Sequence, residues 1–312
     1  TQHDVWGDNP DSWICAVYAG KDTHVETLDN GWRVTGRWSY ASGSAHSQWA
    51  ILGVPMADAS GTPDIGLLLI PTSELTVEDT WFVTGMRGTS SNTLVAQDVF
   101  VPSHRRLSLQ GAGRGETATP FQGETLYRSS FNPVSGLCLA APQVGLAQAA
   151  LDLVMEKAPK RPVPFSPYPS QAQAPTVQLA VAKAASLVDS AKLHLYRAAA
   201  EVDETAHQGG TLDAGAQARN AMDGQAASRY SREAIRILIS AHGSGSFAES
   251  NPLQRIWRDC EVPTASPPRP TARPSSARAE RSAVPGHSSS RPSPCQPPVT
   301  RRPSRTARQE GT

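Results

Sequence analysis

Cysteine is scarce: Cys15, Cys138, Cys260 and Cys295 are all that 312 residues contain, far apart and outside any CxxC pair. That spacing fits neither a zinc ribbon nor a secreted disulfide framework. The thiols read as small buried hydrophobes, no metal site is expected, and a reducing cytoplasm is the simplest location. Charge of one sign is also missing, because 29 Lys and Arg face 28 Asp and Glu for a net charge of +1. Nothing in that balance draws the chain to nucleic acid or to anionic lipid. No uninterrupted apolar run reaches the roughly 18 residues of a membrane span. The opening Thr1-Gln2-His3-Asp4 has neither the basic nor the apolar region of a signal peptide. Residues 263–312 lack Trp, Phe and Tyr altogether and hold eleven of the 26 prolines. Such a stretch buries too little apolar area to offset its ordering entropy, so a disordered tail is expected.

What remains divides into two patterned regions. In residues 31–40, Trp32, Val34, Trp38 and Tyr40 fall on one side at period two, which marks a half-buried strand. Asp29-Asn30-Gly31 before it offers residues that tolerate positive φ, so a tight hairpin back to residues 24–28 is expected. Further strands are expected at 49–54, 66–70, 80–83 and 93–96, separated by Gly, Pro, Asp and Ser turns. Short strands at this spacing point to an antiparallel barrel or sandwich over residues 1–110.

Residues 120–262 are patterned as a helical bundle. Leu146, Ala149, Ala150, Leu153 and Val154 recur at helical spacing within 144–157. Leu179, Ala182, Leu187, Ala191, Leu195, Ala198 and Val202 do the same over 177–207, where Gly209-Gly210 stops the helix. A third helix spans 214–241 and gives way to the loop His242-Gly243-Ser244-Gly245-Ser246. Strands followed by helices, without alternation, give an α+β fold rather than a doubly wound sheet.

Several stretches in this order resemble one family. They are residues 5–15, the Trp-Ser-Tyr-Ala-Ser-Gly run at 38–43, Gly85-Met86-Arg87-Gly88-Thr89, Asp98-Val99-Phe100-Val101-Pro102, Val163-Pro164-Phe165 with Gln171-Ala172, and residues 251–259 ending in Arg258-Asp259. Together they are similar to reduced-flavin-dependent monooxygenases, the oxygenase components of 4-hydroxyphenylacetate 3-hydroxylase type, built on the acyl-CoA dehydrogenase fold. The resemblance implies a β domain followed by a helical bundle, assembled as a homotetramer with flavin shared across subunits. Family members begin with a helical domain that is missing here, so a shortened copy is expected. The resemblance further implies reduced FMN, with FAD as the alternative, delivered by an NAD(P)H-dependent flavin reductase. Dioxygen then adds to flavin C4a, and the resulting hydroperoxide hydroxylates an aromatic or polyketide phenol, or an amino-sugar nitrogen. Two rival readings are an acyl-CoA dehydrogenase and an inactive remnant of the oxygenase family.

The same resemblance nominates site residues. Trp38, Ala41, Ser42 and Gly43 form the segment that would pass along the flavin ring, with Ser42 as the contact; its alternative is a turn-former before Gly43. Arg128 matches an arginine near the flavin, where positive charge favours the anionic reduced ring; a surface ion pair is its alternative. Gly243, Ser244 and Arg255 match the part that reaches a neighbouring subunit's flavin, and helix termination explains the glycines equally well. Arg258 and Asp259 are expected to pair with each other, and His46 and His242 to be structural. No catalytic base is nominated, because no His follows the Arg-Asp pair as it does in the family's phenol hydroxylases.

Overall fold

The computed structural model describes residues 1–57, 61–116, 119–121 and 123–264. A short helix α1 (Gln2–Trp6) precedes strands β1 (Ile14–Val17), β2 (Lys21–Leu28), β3 (Gly31–Ala41), β4 (Trp49–Ala57), β5 (Pro63–Pro71), β6 (Thr76–Glu78), β7 (Asn92–Pro102) and β8 (Arg106–Ser108). The strands form two four-stranded sheets, in the orders β1-β4-β5-β8 and β2-β3-β7-β6. All pairs are antiparallel except β1 with β4. One core lies between the sheets, filled by Val34 and Trp38 from β3, Leu52 and Val54 from β4, Leu68 and Ile70 from β5, and Leu94 from β7. Trp38 also bridges the layers, since its indole N–H donates to the Gly53 carbonyl at 2.8 Å.

The β3 alternation holds at Val34, Gly36 and Trp38 and then breaks. Tyr40 has φ 65° and is 72% exposed. Trp38 pairs with Leu94 and Ala41 with Asn92, so β3 carries one extra residue there. This is a β-bulge, which bends the strand and re-aims the side chains beyond it. Ala41 takes the inward place and Ser42 faces out. Two expectations need correction. Residues 80–83 are not a strand: the backbone N–H groups of Thr80 and Trp81 both donate to Asn92 Oδ1, so a side chain takes the place of a ladder. The β2–β3 turn forms where expected, but Asp29 and Asn30 are not among the positive-φ residues.

After α2 (Leu109–Gly113) come the long helices α3 (Phe131–Lys157), α4 (Pro175–His207) and α5 (Ala214–His242), then α6 (Pro252–Thr264). Helix α4 starts on Pro175 at its first turn, where the missing N–H is harmless, and Gly209 beyond its end has φ 77°. The Asp213 carboxylate caps α5 by accepting from Ala216 N at 2.8 Å. The expected apolar face of α4 is correct from Ala191 onward, but its first half is rotated. Val177, Ala184 and Val188 are buried there, while Leu179 is 72% exposed. Helix α3 begins thirteen residues before the expected 144, running through Pro142. The stretch Phe131–Lys160 is long and apolar enough on average to cross a membrane, although Gln143 and Gln148 interrupt its apolar run; 44% of its most apolar window is buried. Its Ala147, Ala150, Leu151 and Val154 pack on Ile235 and Leu238 of α5 and Leu253 of α6. The disordered tail expected from residue 263 lies, past Thr264, outside the described residues.

Replacing Trp38 by Phe keeps most of the ring but removes the donor to Gly53. The expected loss is about 1–2 kcal/mol of stability, the typical cost of leaving a buried acceptor short of its partner. Urea denaturation of the two proteins measures it.

Candidate functional site

The bulge of β3 meets the loop between β6 and β7, and the contact is dense with hydrogen bonds. Gly43, at φ 84°, donates its N–H to the Thr89 carbonyl at 2.7 Å. The Ser44 hydroxyl donates to the Ser90 carbonyl at 2.8 Å. Ser42 Oγ lies 2.8 Å from Ser91 Oγ, which lies 2.7 Å from Thr89 Oγ1, and that hydroxyl donates to the Met86 carbonyl at 2.8 Å. The same carbonyl accepts from the Trp81 indole at 2.8 Å. Trp81 stands edge-on to Tyr40, with ring centroids 5.7 Å apart. Met86 and Ser90 have φ of 54° and 45°. With Tyr40 and Gly43, four left-handed residues therefore gather at one corner. Non-glycine backbone of this kind costs about 1–3 kcal/mol per residue and persists only where the surroundings over-determine it.

Helix α6 supplies that determination. Asp259 Oδ1 accepts from Met86 N at 2.6 Å, and Arg258 donates to the Thr84 carbonyl at 2.6 Å. Gly85 fits between them because a side chain there would meet the Arg258 carbonyl at 2.1 Å. Arg258 and Asp259 thus do not pair with each other; both hold the loop. Glu261, two residues on, is engaged by Arg232 and Arg236 of α5. Burial raises its pKa, but the hydrogen bonds from the two arginines outweigh that and hold it below the usual carboxylate range. It is committed to ion pairing rather than to proton transfer.

The nominated residues fall in three places. At the corner, Ser42 is exposed and Gly43 is half-buried. The side chains of Trp38 and Ala41 are fully buried in the sandwich core, which corrects their nomination as side-chain contacts to an outside ligand. The second place is the elbow after α5. Gly243, at φ 87°, ends the helix, and Ser244 is exposed. The Asn251 amide donates to the Gly245 carbonyl at 2.9 Å, fixing the elbow to the start of α6. Arg255 is exposed on α6, with no ion pair among the described residues. Asn251, just before α6, and Asp259 within it are eight positions apart, so the two anchoring residues lie roughly 12 Å apart along the helix axis. Arg255 stands between them, four residues from each, on one stripe of the helix. The third place is separate. Arg128 donates to the carbonyls of Ala206 at 3.3 Å and Gly123 at 3.1 Å, at the C-terminal end of α4. A cation there is favoured by the helix dipole. Neither of these carbonyls belongs to the corner or to the elbow.

Sequence reasoning passed over Thr89, Ser91, Tyr40 and Trp81. The motif 85–89 was noticed, but nothing in a linear reading says that its threonine meets Ser91, or that Ser91 in turn meets a serine 49 residues before it. Two apolar grooves of about 330 and 340 Å³ lie elsewhere, along α4 beside Leu137 and Cys138 and beside Met155 and Val177. Neither touches Ser42.

His242 is buried behind the elbow. Its Nε2 receives Arg161 at 3.0 Å and the Asn251 amide at 3.1 Å, so the ring is neutral with its proton on Nδ1. Burial, then the charges of Arg161 and Lys157, push its pKa below the ordinary 6.5. The unfolded chain therefore binds a proton that the folded chain refuses, and stability is lost as pH falls below about 6.5. The urea midpoint is expected to be lower at pH 5.5 than at pH 7.5, and His242→Gln to shrink that difference.

Residues 137–265 match the family described as acyl-CoA dehydrogenase, C-terminal domain. The chain is 36% identical over 271 residues to the oxygenase component of an FADH2-dependent resorcinol hydroxylase from a Rhizobium species, covering 84% of this chain and 66% of that one. It is 32% identical to the flavin-dependent monooxygenase oxygenase subunit HsaA of Rhodococcus jostii, covering 84% and 68%. Among solved structures, XiaF from a Streptomyces species, in complex with FADH2 and glycerol, superposes with a TM-score of 0.78 at 37% identity, over 85% of this chain and 67% of that one. The HsaA monooxygenase of Mycobacterium tuberculosis gives 0.76 at 32%, over 85% and 68%. The chain thus spans about two thirds of the length of these relatives. With this fold and these relatives, the chain belongs to the oxygenase components of the flavin-dependent monooxygenases, of acyl-CoA dehydrogenase-like architecture.

Proposed function

We propose that the chain binds reduced flavin with the ring against the Ser42 corner and the phosphate end toward a Gly243–Ser244 elbow and an Arg255, in a homotetramer that shares flavin between subunits. The observation that carries this reading is the exposed Ser42 hydroxyl, presented by a strained bulge beside Tyr40 and Trp81. The donor set suits such a ligand. A flat ring needs close backbone and few protruding side chains, which Ser42 and Gly43 offer. A phosphate needs cations and exposed N–H groups, which Arg255 and the elbow offer. When bound, reduced flavin supplies the electrons and the carbon that activates dioxygen; the chain binds it, orients it and excludes water.

The substrate proposed is an electron-rich aromatic of the phenol class, polyketide phenols included, in line with the resorcinol hydroxylase among the relatives. An amino-sugar nitrogen is the alternative that product analysis would reveal. The partner proposed is a separate NAD(P)H-dependent flavin reductase in the same cytoplasmic compartment, a reading supported by relatives named as oxygenase components or subunits. FADH2 is the form in two of those names, and reduced FMN remains the other form to be compared.

Anaerobic titration of the full chain with reduced FMN and with FADH2, followed by mixing with dioxygen and a phenol, tests the reading. Saturable binding and a hydroxylated product are expected; no binding of either reduced flavin would sink it. Ser42→Ala is expected to weaken binding of the reduced form about three- to tenfold, the worth of one hydrogen bond. Arg255→Ala is expected to weaken it by a factor that shrinks as salt is raised.

A further inference from the structure

We infer that Asp259 is a positioning residue for Ser42, acting through Met86, Thr89 and Ser91 to make the serine oxygen an acceptor only. The inference rests on the flavin reading above and adds the means by which the chain distinguishes reduced from oxidised ring.

The argument is a count of protons. A carbonyl cannot donate, so the Thr89 hydroxyl proton is spent on the Met86 carbonyl at 2.8 Å. The 2.7 Å contact between Thr89 and Ser91 must then be filled by the Ser91 proton. With that proton spent, the 2.8 Å contact between Ser91 and Ser42 must be filled by the Ser42 proton. Each hydroxyl has one proton and the row has one anchored end, so its direction is fixed. Ser91 is buried, with 3% exposure, which keeps water from offering an alternative. Ser42 is left with lone pairs facing outward and no proton to give.

That polarity matters for a flavin. The reduced ring carries a hydrogen on N5 and donates from it; the oxidised ring has a lone pair there and accepts. A hydroxyl locked as acceptor bonds the first and repels the second, whereas a freely rotating hydroxyl serves both.

The anchor is only as firm as the Met86 peptide. Met86 sits in the left-handed region at φ 54°, which a side chain of its kind leaves unless held. Its N–H is held by the Asp259 carboxylate at 2.6 Å, and its carbonyl receives Trp81, Thr89 Oγ1 and, at 3.2 Å, the Thr89 N–H. Without Asp259 the residue is free to rotate out of that conformation, carrying its carbonyl away and releasing the hydroxyl row.

The test measures dissociation constants of the full chain for FMN and FAD, each oxidised and reduced, under anaerobic conditions. Wild type is expected to prefer the reduced form. Ser91→Ala and Asp259→Ala are expected to cut the ratio of oxidised to reduced dissociation constants about tenfold, mostly by improving the oxidised form. Asp259→Asn, whose amide oxygen still accepts from Met86, is expected to keep the ratio within about twofold. Without flavin, hydrogen exchange of the amides at 86–91 is expected to quicken in Asp259→Ala and not in Asp259→Asn. An unchanged ratio in Ser91→Ala, while Ser42→Ala still weakens binding, overturns the relay and leaves the flavin reading standing. A ratio lowered by Ser91→Ala but not by Asp259→Ala overturns the role of Asp259. If Asp259→Ala does not fold, a tenfold fall in Ser91→Ala with retention in Asp259→Asn supports the inference, and any other result overturns it. Wild type that binds no flavin in any form overturns the flavin reading and this inference together.

Discussion

Helix α6 meets the backbone of residues 84–86, between β6 and β7, and the candidate site depends on that contact. Gly85 lets α6 come close enough for its Arg258 carbonyl to lie where a side chain would otherwise sit. Two charge-assisted hydrogen bonds, from Met86 to Asp259 and from Arg258 to Thr84, then lock the segment. The left-handed residues Met86 and Ser90 are tolerable only in that frame. The hydroxyl row and the Trp81 indole converge on the same Met86 carbonyl, so the geometry at Ser42 is inherited from a helix more than 200 residues later in the chain.

The frame also orders the two candidate places. The elbow at Gly243 and the corner at Ser42 come from different halves of the chain, yet each is fastened to α6, one at the residue before its start and one just past its middle. Their spacing is set by a rigid rod rather than by loops. The helix is itself held by apolar burial of Leu253, Ile256 and Cys260 against α3 and α5, and by the Glu261 pairs with Arg232 and Arg236. Cys260 accordingly behaves as a core side chain, its thiol pushed up to about 12 by burial, then by Glu261.

Much of the fold was legible in the residues. Periodicity located β2, β3, β4, β5 and β7 and the long helices, because burial on one face writes itself into the sequence at period two or 3.6. The failures have physical causes. Residues 80–83 look like a strand by composition, but the Asn92 side chain offers their N–H groups a nearer partner than any ladder. The strands β1, β6 and β8 are three or four residues long, too short to show a period. The early face of α4 was misread because Leu179 and Ala182 are apolar yet exposed, and hydropathy alone does not say which of two apolar stripes is buried. At the site, resemblance gave Ser42 and Gly43 as part of the flavin segment, with a turn as the alternative reading, and the chain does turn there. Trp38 was legible as a buried residue, in step with Val34, but Ala41 was not, since the bulge that decides its direction lies in a backbone angle. The Arg258–Asp259 pair read naturally as an ion pair; that both reach back to residues 84–86 is long-range information that no local pattern holds.

The bulge at Tyr40 has a consequence for how this strand can change. An extra residue shifts the parity of all that follows, so the inward place falls to Ala41 and the hydroxyl of Ser42 lies outside. Substitutions around it alter size or polarity but leave that count intact. Insertion or deletion of one residue between Trp38 and Ala41 alters the count itself, and the strand would have to choose between its packing and the outward place of Ser42. The position of this hydroxyl is therefore guarded by chain length more strictly than by the identity of its neighbours.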